Sequence, residues 1–531
     1  MKQPALRTAL AALLFSASAS TLAKPLVVCT EASPEGFDIV QYTAATTADA
    51  SAETLFNRLV EFAPGTTDIQ PGLAERWEIS DDGLQYTFHL RPGVKFHSTE
   101  YFTPSRTLNA DDVLWSFNRQ LDPNHPWHNQ APMGYGYFES MGLQALIHSI
   151  EKTDPMTVVF HLNRPEAPFL RDLAMGFASI YSAEYGDQLL AAGTPEKLNS
   201  QPIGTGPFIF SRYAKDSQVR YKANPDYYKG KPPADPLVFA ITIDANTRLQ
   251  KLRAGECQVA LYPKPEDVAA LKAEPAIKVE ELPALVVSYV AMNTERPWLK
   301  DARVRQAIAL AVDKPNLVRT LFGEGNAVLG TGPYPQTVLG FNHHLVNPQH
   351  DPAKARELLK QAGVPEGTTF TVYTRNGGGV TNPNPGLSAQ LLQADLAKVG
   401  LKADIRMMEW GEMVKAVKLG QHDLVFYGWA GDNGDPDNFV TPNLSCDAAK
   451  SGENAARWCN ADFDRLITQA RGETEPAKRA ALYEQAQDVF SQQHPWISLA
   501  YPKLFVALRK NVEGYHISPL TNNNFATTQV K

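Results

Sequence analysis

The sequence predicts an α/β protein of two lobes with a cleft between them, and three observations carry this. Strand-like runs with a period of two alternate with helix-like runs near a period of 3.6 along the whole chain. The length, 531 residues, suggests about two to four domains. A strand-like stretch near the end, residues 496–508, can return to the first half of the chain, and two lobes joined by crossing segments make a hinge. A content of 43% hydrophobic and 20% charged residues is that of a globular protein able to bury ample core. The formal net charge of −7 argues against a nucleic-acid binder, which needs a basic face.

The chain opens with Lys2 and Arg7 around a small, apolar run over residues 8–19, and Thr21-Leu22-Ala23 offers a cleavage site before Lys24. This is the pattern of a secretory signal peptide, residues 1–23, so the mature chain is expected in an exported compartment. The apolar part is too short to cross a bilayer, and no later segment supplies about 18 consecutive apolar residues, so no membrane insertion is expected. A lipid anchor at Cys29 is disfavoured by the bulky Val28 before it.

Residues 25–29 read as a short buried strand, and 86–90 and 157–162 alternate like strands. Residues 110–119 read as a helix starting near Asn109 or Asp111. A further helix begins at Asp301, where Val304, Ile308 and Ala311 recur at helical spacing. Asp351 followed by Pro352 is an N-cap with proline at the first helical position. Leu358 and Leu359 face inward, and Gly363 stops that helix. Residues 369–373 form a β-branched strand. A second helix carries Leu387, Leu391, Leu392, Leu396 and Val399, and residues 402–408 alternate as a strand ending at Glu409-Trp410. Residues 424–427 add another buried strand. Such a series implies parallel strands with helical crossovers. The lobe boundary falls at residues 281–286, where proline-bearing sequence precedes Val287-Ser288-Tyr289-Val290-Ala291-Met292-Asn293.

One short run carries most of the functional information: Gly428-Trp429-Ala430-Gly431-Asp432-Asn433-Gly434-Asp435-Pro436-Asp437-Asn438-Phe439. Three carboxylates, two aromatics and three glycines sit on a loop leaving the C-terminal end of the 424–427 strand, where ligands bind in open α/β sheets. Trp429 can form an apolar wall, and an acidic side chain beside it can hold a cation. The same composition is also ordinary turn chemistry. Tyr42, Trp410, Tyr427 and Trp429 each border a polar or glycine-rich turn, so each is a candidate to line a cleft or to pack in a core.

Four cysteines follow the signal segment, Cys29, Cys257, Cys446 and Cys459. An even count in an exported chain suggests two disulfides. Cys446 and Cys459 lie close together in one polar stretch and are paired here, which leaves Cys29 with Cys257. No Cys-x-x-Cys spacing exists and no histidine neighbours a cysteine, so no metal site is expected. Enzyme constellations are weak. Gly-x-Ser-x-Gly, the phosphate-binding loop and His-Glu-x-x-His are absent, and Pro207 interrupts any nucleotide fingerprint in Gly204-Thr205-Gly206-Pro207-Phe208, which reads as a tight backbone passage. His343-His344 and His125-Pro126-Trp127-His128 read as solvated loop residues. Glu409 and Glu412 could in principle form a hydrolytic carboxylate pair, but nothing places them at the required separation. No catalytic residue and no cofactor are expected.

Beyond these features the chain resembles a known family. The carriers are Cys29-Thr30-Glu31-Ala32-Ser33-Pro34-Glu35-Gly36-Phe37, Asn57-Arg58-Leu59-Val60-Glu61-Phe62, Pro71-Gly72-Leu73-Ala74-Glu75, Leu108-Asn109-Ala110-Asp111-Asp112-Val113, Arg164-Pro165-Glu166-Ala167-Pro168-Phe169-Leu170, Gly204 to Phe208, Val304-Arg305-Gln306-Ala307 and the run ending at Phe439. In this order they resemble the peptide-type extracytoplasmic solute-binding proteins of ABC importers, in particular dipeptide-binding ones, and all four cysteines match. The resemblance implies a type II periplasmic binding protein fold with an extra subdomain in the N-terminal lobe. That gives lobe I as residues 24–283 plus 503–531, with the insertion at about 57–202, and lobe II as residues 284–502. It implies a monomer in the periplasm that closes over a short peptide and delivers it to an inner-membrane ABC permease. By position, Asp432 holds the peptide's α-ammonium, Gly428, Trp429 and Trp410 lie near the ligand, and Thr43, Ala44 and Ala45 run beside the peptide backbone. Dipeptide-specific relatives hold the ligand's carboxylate with an arginine a few residues before the place of Asn382-Pro383-Asn384. Here that position is Gly379, and Arg375 is the nearest basic residue, one that would need the loop to refold. Tolerance of tripeptides is therefore expected. Two alternatives stand: the same fold holding haem or a metal chelate, and an exported hydrolase of peptides or sugars.

Overall fold

The structure, a computed structural model, describes residues 24–531. The expected signal segment, residues 1–23, and its cleavage site lie outside the described residues.

A twelve-stranded mixed sheet runs through the molecule. From one edge its main path is Lys402–Met408, Thr369–Arg375, Leu424–Ala430, Val286–Met292, Trp496–Arg509, Val259–Leu261, Leu26–Thr30, Leu237–Ile241, Gln218–Ala223 and Phe208–Ala214. Thr369–Arg375 is parallel to both Lys402–Met408 and Leu424–Ala430, as the strand–helix–strand series requires. Val286–Met292 is antiparallel to both its neighbours, so the sheet mixes the two kinds of pairing.

The fourteen-residue strand Trp496–Arg509 links the two halves. Its first part pairs with Val286–Met292, from Ala291 opposite Trp496 to Ser288 opposite Ala500. Its second part pairs with Ile277–Pro283, from Pro283 opposite Lys503 to Ile277 opposite Arg509. The chain thus crosses from one half to the other at residues 283–286 and again at 500–503.

The cores explain why the central strands Val286–Met292 and Trp496–Arg509 are largely apolar. Every residue of Val286–Met292 is buried. Successive side chains of a strand point to opposite faces. Val287, Tyr289 and Ala291 enter one core with Tyr373 and Val425, while Val290 and Met292 enter another with Val372, Leu424 and Phe426. A strand covered on both faces needs apolar residues at every position. A third core gathers residues from 26 to 261 with others from 506 to 525. It takes in Phe88, Val158 and Phe160 of a separate four-stranded antiparallel sheet, Ala74–Ile79, Gln85–Leu90, Thr157–Leu162 and Ile147–Asp154.

Helix starts follow their caps. Asn109 and Asp112 form a reciprocal capping box on Ala110–Leu121, and the Asp351 carboxylate accepts from the Lys354 amide at 2.9 Å to open Pro352–Gln361. The Gly204-Thr205-Gly206 passage is tight because a Cβ at Gly204 would fall 2.0 Å from the Leu55 carbonyl oxygen. Both cysteine pairs close, with Cα separations of 5.8 Å for Cys29–Cys257 and 4.5 Å for Cys446–Cys459. No helix among the described residues is long and apolar enough to cross a membrane.

Candidate functional site

The strand expected to end at Tyr427 continues to Ala430. Glycine at 428 suggests a break, but register with Val286–Met292 holds the chain extended, with Val287 opposite Trp429 and Val286 opposite Ala430. Gly428 and Trp429 are therefore strand residues, not loop residues. The turn begins at Gly431, whose amide donates to the Leu285 carbonyl at 2.7 Å. A Cβ there would fall 2.5 Å from the Phe439 ring, so a larger residue would have to displace that ring.

Asp432 emerges from that turn and is held from both sides. Asn438 Nδ2 donates to its Oδ2 at 3.1 Å, and Asn438 Oδ1 accepts from both the Asp432 amide at 2.9 Å and the Trp429 indole at 3.2 Å. Across the gap, the Tyr137 hydroxyl donates to Asp432 Oδ1 at 2.8 Å and lies 3.3 Å from the Thr43 carbonyl oxygen. All these side-chain partners are neutral. Burial pushes the Asp432 carboxyl above the ordinary carboxylate range, and the two hydrogen bonds offset this only in part. A carboxylate in such a place is stabilised by any cation that enters.

Asp432 opens onto a cavity of about 260 Å³, lined among others by Tyr42, Thr43, Ala45, Tyr137, Phe177 and Asn522. Its lining mixes apolar side chains such as Ile39 and Phe177 with polar ones such as Thr43 and Asn522, the usual composition of a small-ligand pocket. The other two carboxylates of the run are engaged elsewhere. Asp435 caps Pro436–Leu444 and receives both Arg479 terminal nitrogens, at 2.7 and 2.8 Å, wholly inside the protein. Asp437 accepts from Thr441 Oγ1 at 2.6 Å and faces Arg471 at 3.7 Å. Only Asp432 of the three faces the cavity.

The remaining expected positions divide. Thr43 and Ala45 line the cavity, and Ala44 is the N-cap of the short helix Ala45–Ala50 between them. Trp429 joins the site through Asn438. Gly428, Trp410, Arg375 and Gly379 lie outside the cavity lining and form a second group. Trp410, 45% exposed, stacks on Tyr427 with ring centres 5.5 Å apart, and the Arg375 guanidinium lies 5.3 Å from the Trp410 ring centre. The Arg375 side chain folds back over its own loop. Its Nε and a terminal nitrogen donate to the Gly377 and Gly378 carbonyls at 2.9 and 2.7 Å, and that terminal nitrogen sits 3.4 Å from where a Gly379 Cβ would be. The loop is closed by the Gly379 amide on the Asn382 carbonyl at 2.9 Å. It rides directly on the strand, since a Cβ at Gly428 would fall 2.5 Å from Thr381 Cβ.

Tyr137, Asn438 and Asn522 were not singled out from sequence. Asn438 stood inside the informative run but read as turn chemistry. Tyr137 and Asn522 reach the site only through long-range folding. The histidines also sort themselves: His343 and His344 are exposed, whereas His128 bonds to the Arg119 carbonyl at 2.9 Å and His125 accepts from the Trp127 amide, so that pair is half-buried and structural. Among the described residues no group of three His, Cys, Asp or Glu side chains is arranged to hold a metal.

Comparison with known proteins gives a consistent outcome. Residues 68–451 match the family described as bacterial extracellular solute-binding proteins, family 5. The chain is 65% identical over 520 residues to di/tripeptide-binding protein 4 of Pseudomonas aeruginosa (strain UCBPP-PA14), covering 98% of this chain and 97% of that one. It is 46% identical over 530 residues to the dipeptide-binding protein of Escherichia coli (strain K12), covering 100% and 99%. Among solved structures it superposes with a TM-score of 0.85 on the dipeptide-binding protein of Pseudoalteromonas sp. SM9913 in complex with Met-Leu, at 36% identity and with 96% of this chain and 100% of that one covered.

Proposed function

The chain belongs to the bacterial extracellular solute-binding proteins of family 5, and on that premise we propose that it captures di- and tripeptides between two lobes and delivers them to an ABC permease in the inner membrane. It has the type II periplasmic binding protein fold. We assign lobe I to residues 24–283 plus 503–531, with an inserted subdomain at about 57–202, and lobe II to residues 284–502. The proposed location is the periplasm, reached through a cleaved signal at residues 1–23, and the proposed state is a monomer that performs no chemistry on its ligand.

The carrying observation is Asp432, a carboxylate with only neutral partners at the wall of a cavity shared by the two lobes. A peptide α-ammonium is the cation of matching size and charge, and its arrival would neutralise the one unpaired charge at that wall. The residues 42–45 segment would lie beside the peptide backbone. Arg375, which places two of its five N–H groups on the Gly377 and Gly378 carbonyls and keeps the others to donate, is the proposed partner of the ligand carboxylate, reached by a longer peptide past Gly428 and the Trp410 platform.

Calorimetry tests this. Asp432→Ala should leave the fold intact and weaken tripeptide binding by about 2–5 kcal/mol, the usual result of removing one member of a buried charge pair. Unchanged affinity would remove Asp432 from the site. Hydrolysis of the peptide during the titration would overturn the binding reading in favour of an enzyme.

A further inference from the structure

Away from the cavity, residues 67–172 meet residues 433–471 through a separate set of ties. Glu166 is wholly buried. One of its carboxylate oxygens pairs with Arg471 Nε, and the other lies 3.2 Å from Arg164 Nε. The Ala167 amide donates to the Arg471 carbonyl at 3.0 Å, and the Arg471 guanidinium donates to the Met141 carbonyl at 3.3 Å. Nearby, Asn433 Nδ2 donates to Asp172 Oδ1 at 2.7 Å, and Arg171 Nη1 donates to the Asn433 carbonyl at 3.4 Å. At Gly434 the two sides touch so closely that a Cβ would fall 2.6 Å from Thr67 Cγ2. None of these side chains lines the cavity.

The charges are arranged unevenly. Glu166, Asp172 and Asp437 lie around the Arg471 guanidinium, with Arg164 beside Glu166 and Arg479 already taken by Asp435. Burial holds the Glu166 and Asp172 carboxyls above the ordinary range, with Arg471 pulling against it. Separation of the two sides would return these groups to water. Bringing them together is therefore costly unless each finds its partner, and removing one partner strands the other. Such a contact is made or lost as a unit.

Resting on the peptide-capture reading above, we infer that Glu166 and Asp172 of lobe I, with Asn433 and Arg471 of lobe II, form an interlobe latch that sets the closed fraction of the protein and thereby the residence time of a peptide they do not touch. They act as positioning residues: the ligand contacts Asp432, and the latch decides how long the lobes stay shut around it. The apparent affinity of a ligand scales with the fraction of protein in the competent state.

The test combines stopped-flow peptide kinetics with small-angle scattering on the full mature chain carrying Glu166→Gln, Arg471→Gln or both. Glu166→Gln keeps the side-chain shape and serves as the deciding variant if Arg471→Gln does not fold, as judged by thermal unfolding. The expected result is a dissociation rate raised about tenfold in each single variant, an association rate that is little changed, and a double variant no worse than either single. The scattering radius of the variants should exceed that of the parent. Unchanged dissociation rates, or single effects that simply add in the double variant, would overturn the latch. If the parent protein binds no peptide at all, the capture reading fails, and scattering then decides the latch by itself: equal radii overturn it and larger radii in the variants sustain it.

Discussion

Asp432 was legible in the sequence as an acidic residue following a buried strand, but its environment was not. Three carboxylates stood within six positions, and composition alone offers no way to choose among them; the family resemblance pointed to Asp432 without a physical reason. The choice comes from Arg479, distant in the chain, which binds Asp435, and from Thr441 and Arg471, which occupy Asp437. Asp435 has its charge already paired with Arg479 inside the protein. The pH dependence of binding follows from Asp432's surroundings. In the empty site, burial raises its carboxyl above the ordinary range. A peptide ammonium favours the ionised form, so binding should release a proton there and weaken as pH falls through that raised value. Affinity should level off toward neutrality and fall again only when the peptide's own amine, with a pKa of about 8, loses its proton. Calorimetry in two buffers of different ionisation enthalpy measures the proton release directly, and Asp432→Asn should abolish this part of it.

At the scale of elements, amphipathic helices and buried strands were readable because their periods are local. The helix caps at Asn109, Asp301 and Asp351 and the apolar run from Val287 stand where the sequence implies. The strand ending at Ala430 was underestimated by three residues, because its extension depends on hydrogen bonds from Val286–Met292 and not on its own glycine. The loop from Arg375 to Asn382 shows the same limit. Its glycines let the chain fold back so that the Arg375 guanidinium sits beside Gly379. Arg375→Met should therefore weaken tripeptides by about tenfold or more, the scale of a lost charge-assisted hydrogen bond. An N-terminally matched tripeptide amide, lacking the carboxylate, should be little affected by the same change. A titration series over dipeptides, tripeptides and tetrapeptides with shared N-terminal residues reads out both effects, and a strict preference for dipeptides would show that another group performs this role.

For the whole molecule, the chain crosses between the two halves at residues 283–286 and 500–503, and each half carries one disulfide. Cys446–Cys459 spans 13 positions, and a loop near this length is stabilised by about 3 kcal/mol through loss of unfolded-chain entropy. Replacing both by alanine should lower unfolding stability by about 2–4 kcal/mol and leave peptide affinity intact, since neither residue borders the cavity. Denaturant unfolding checks this.

If Asp432 recognises a free peptide amine, removing the charge of that amine removes most of the binding. The most direct measurement is a pair of titrations comparing one tripeptide with its N-acetylated form, on the parent protein and on Asp432→Asn. Acetylation removes the positive charge and little else. The parent should bind the free peptide at least about a hundredfold more tightly, in keeping with the coupling energy of a close buried charge pair, and the variant should show almost no such preference. Equal affinity of the parent for both forms, or a preference that survives intact in Asp432→Asn, would contradict the claim.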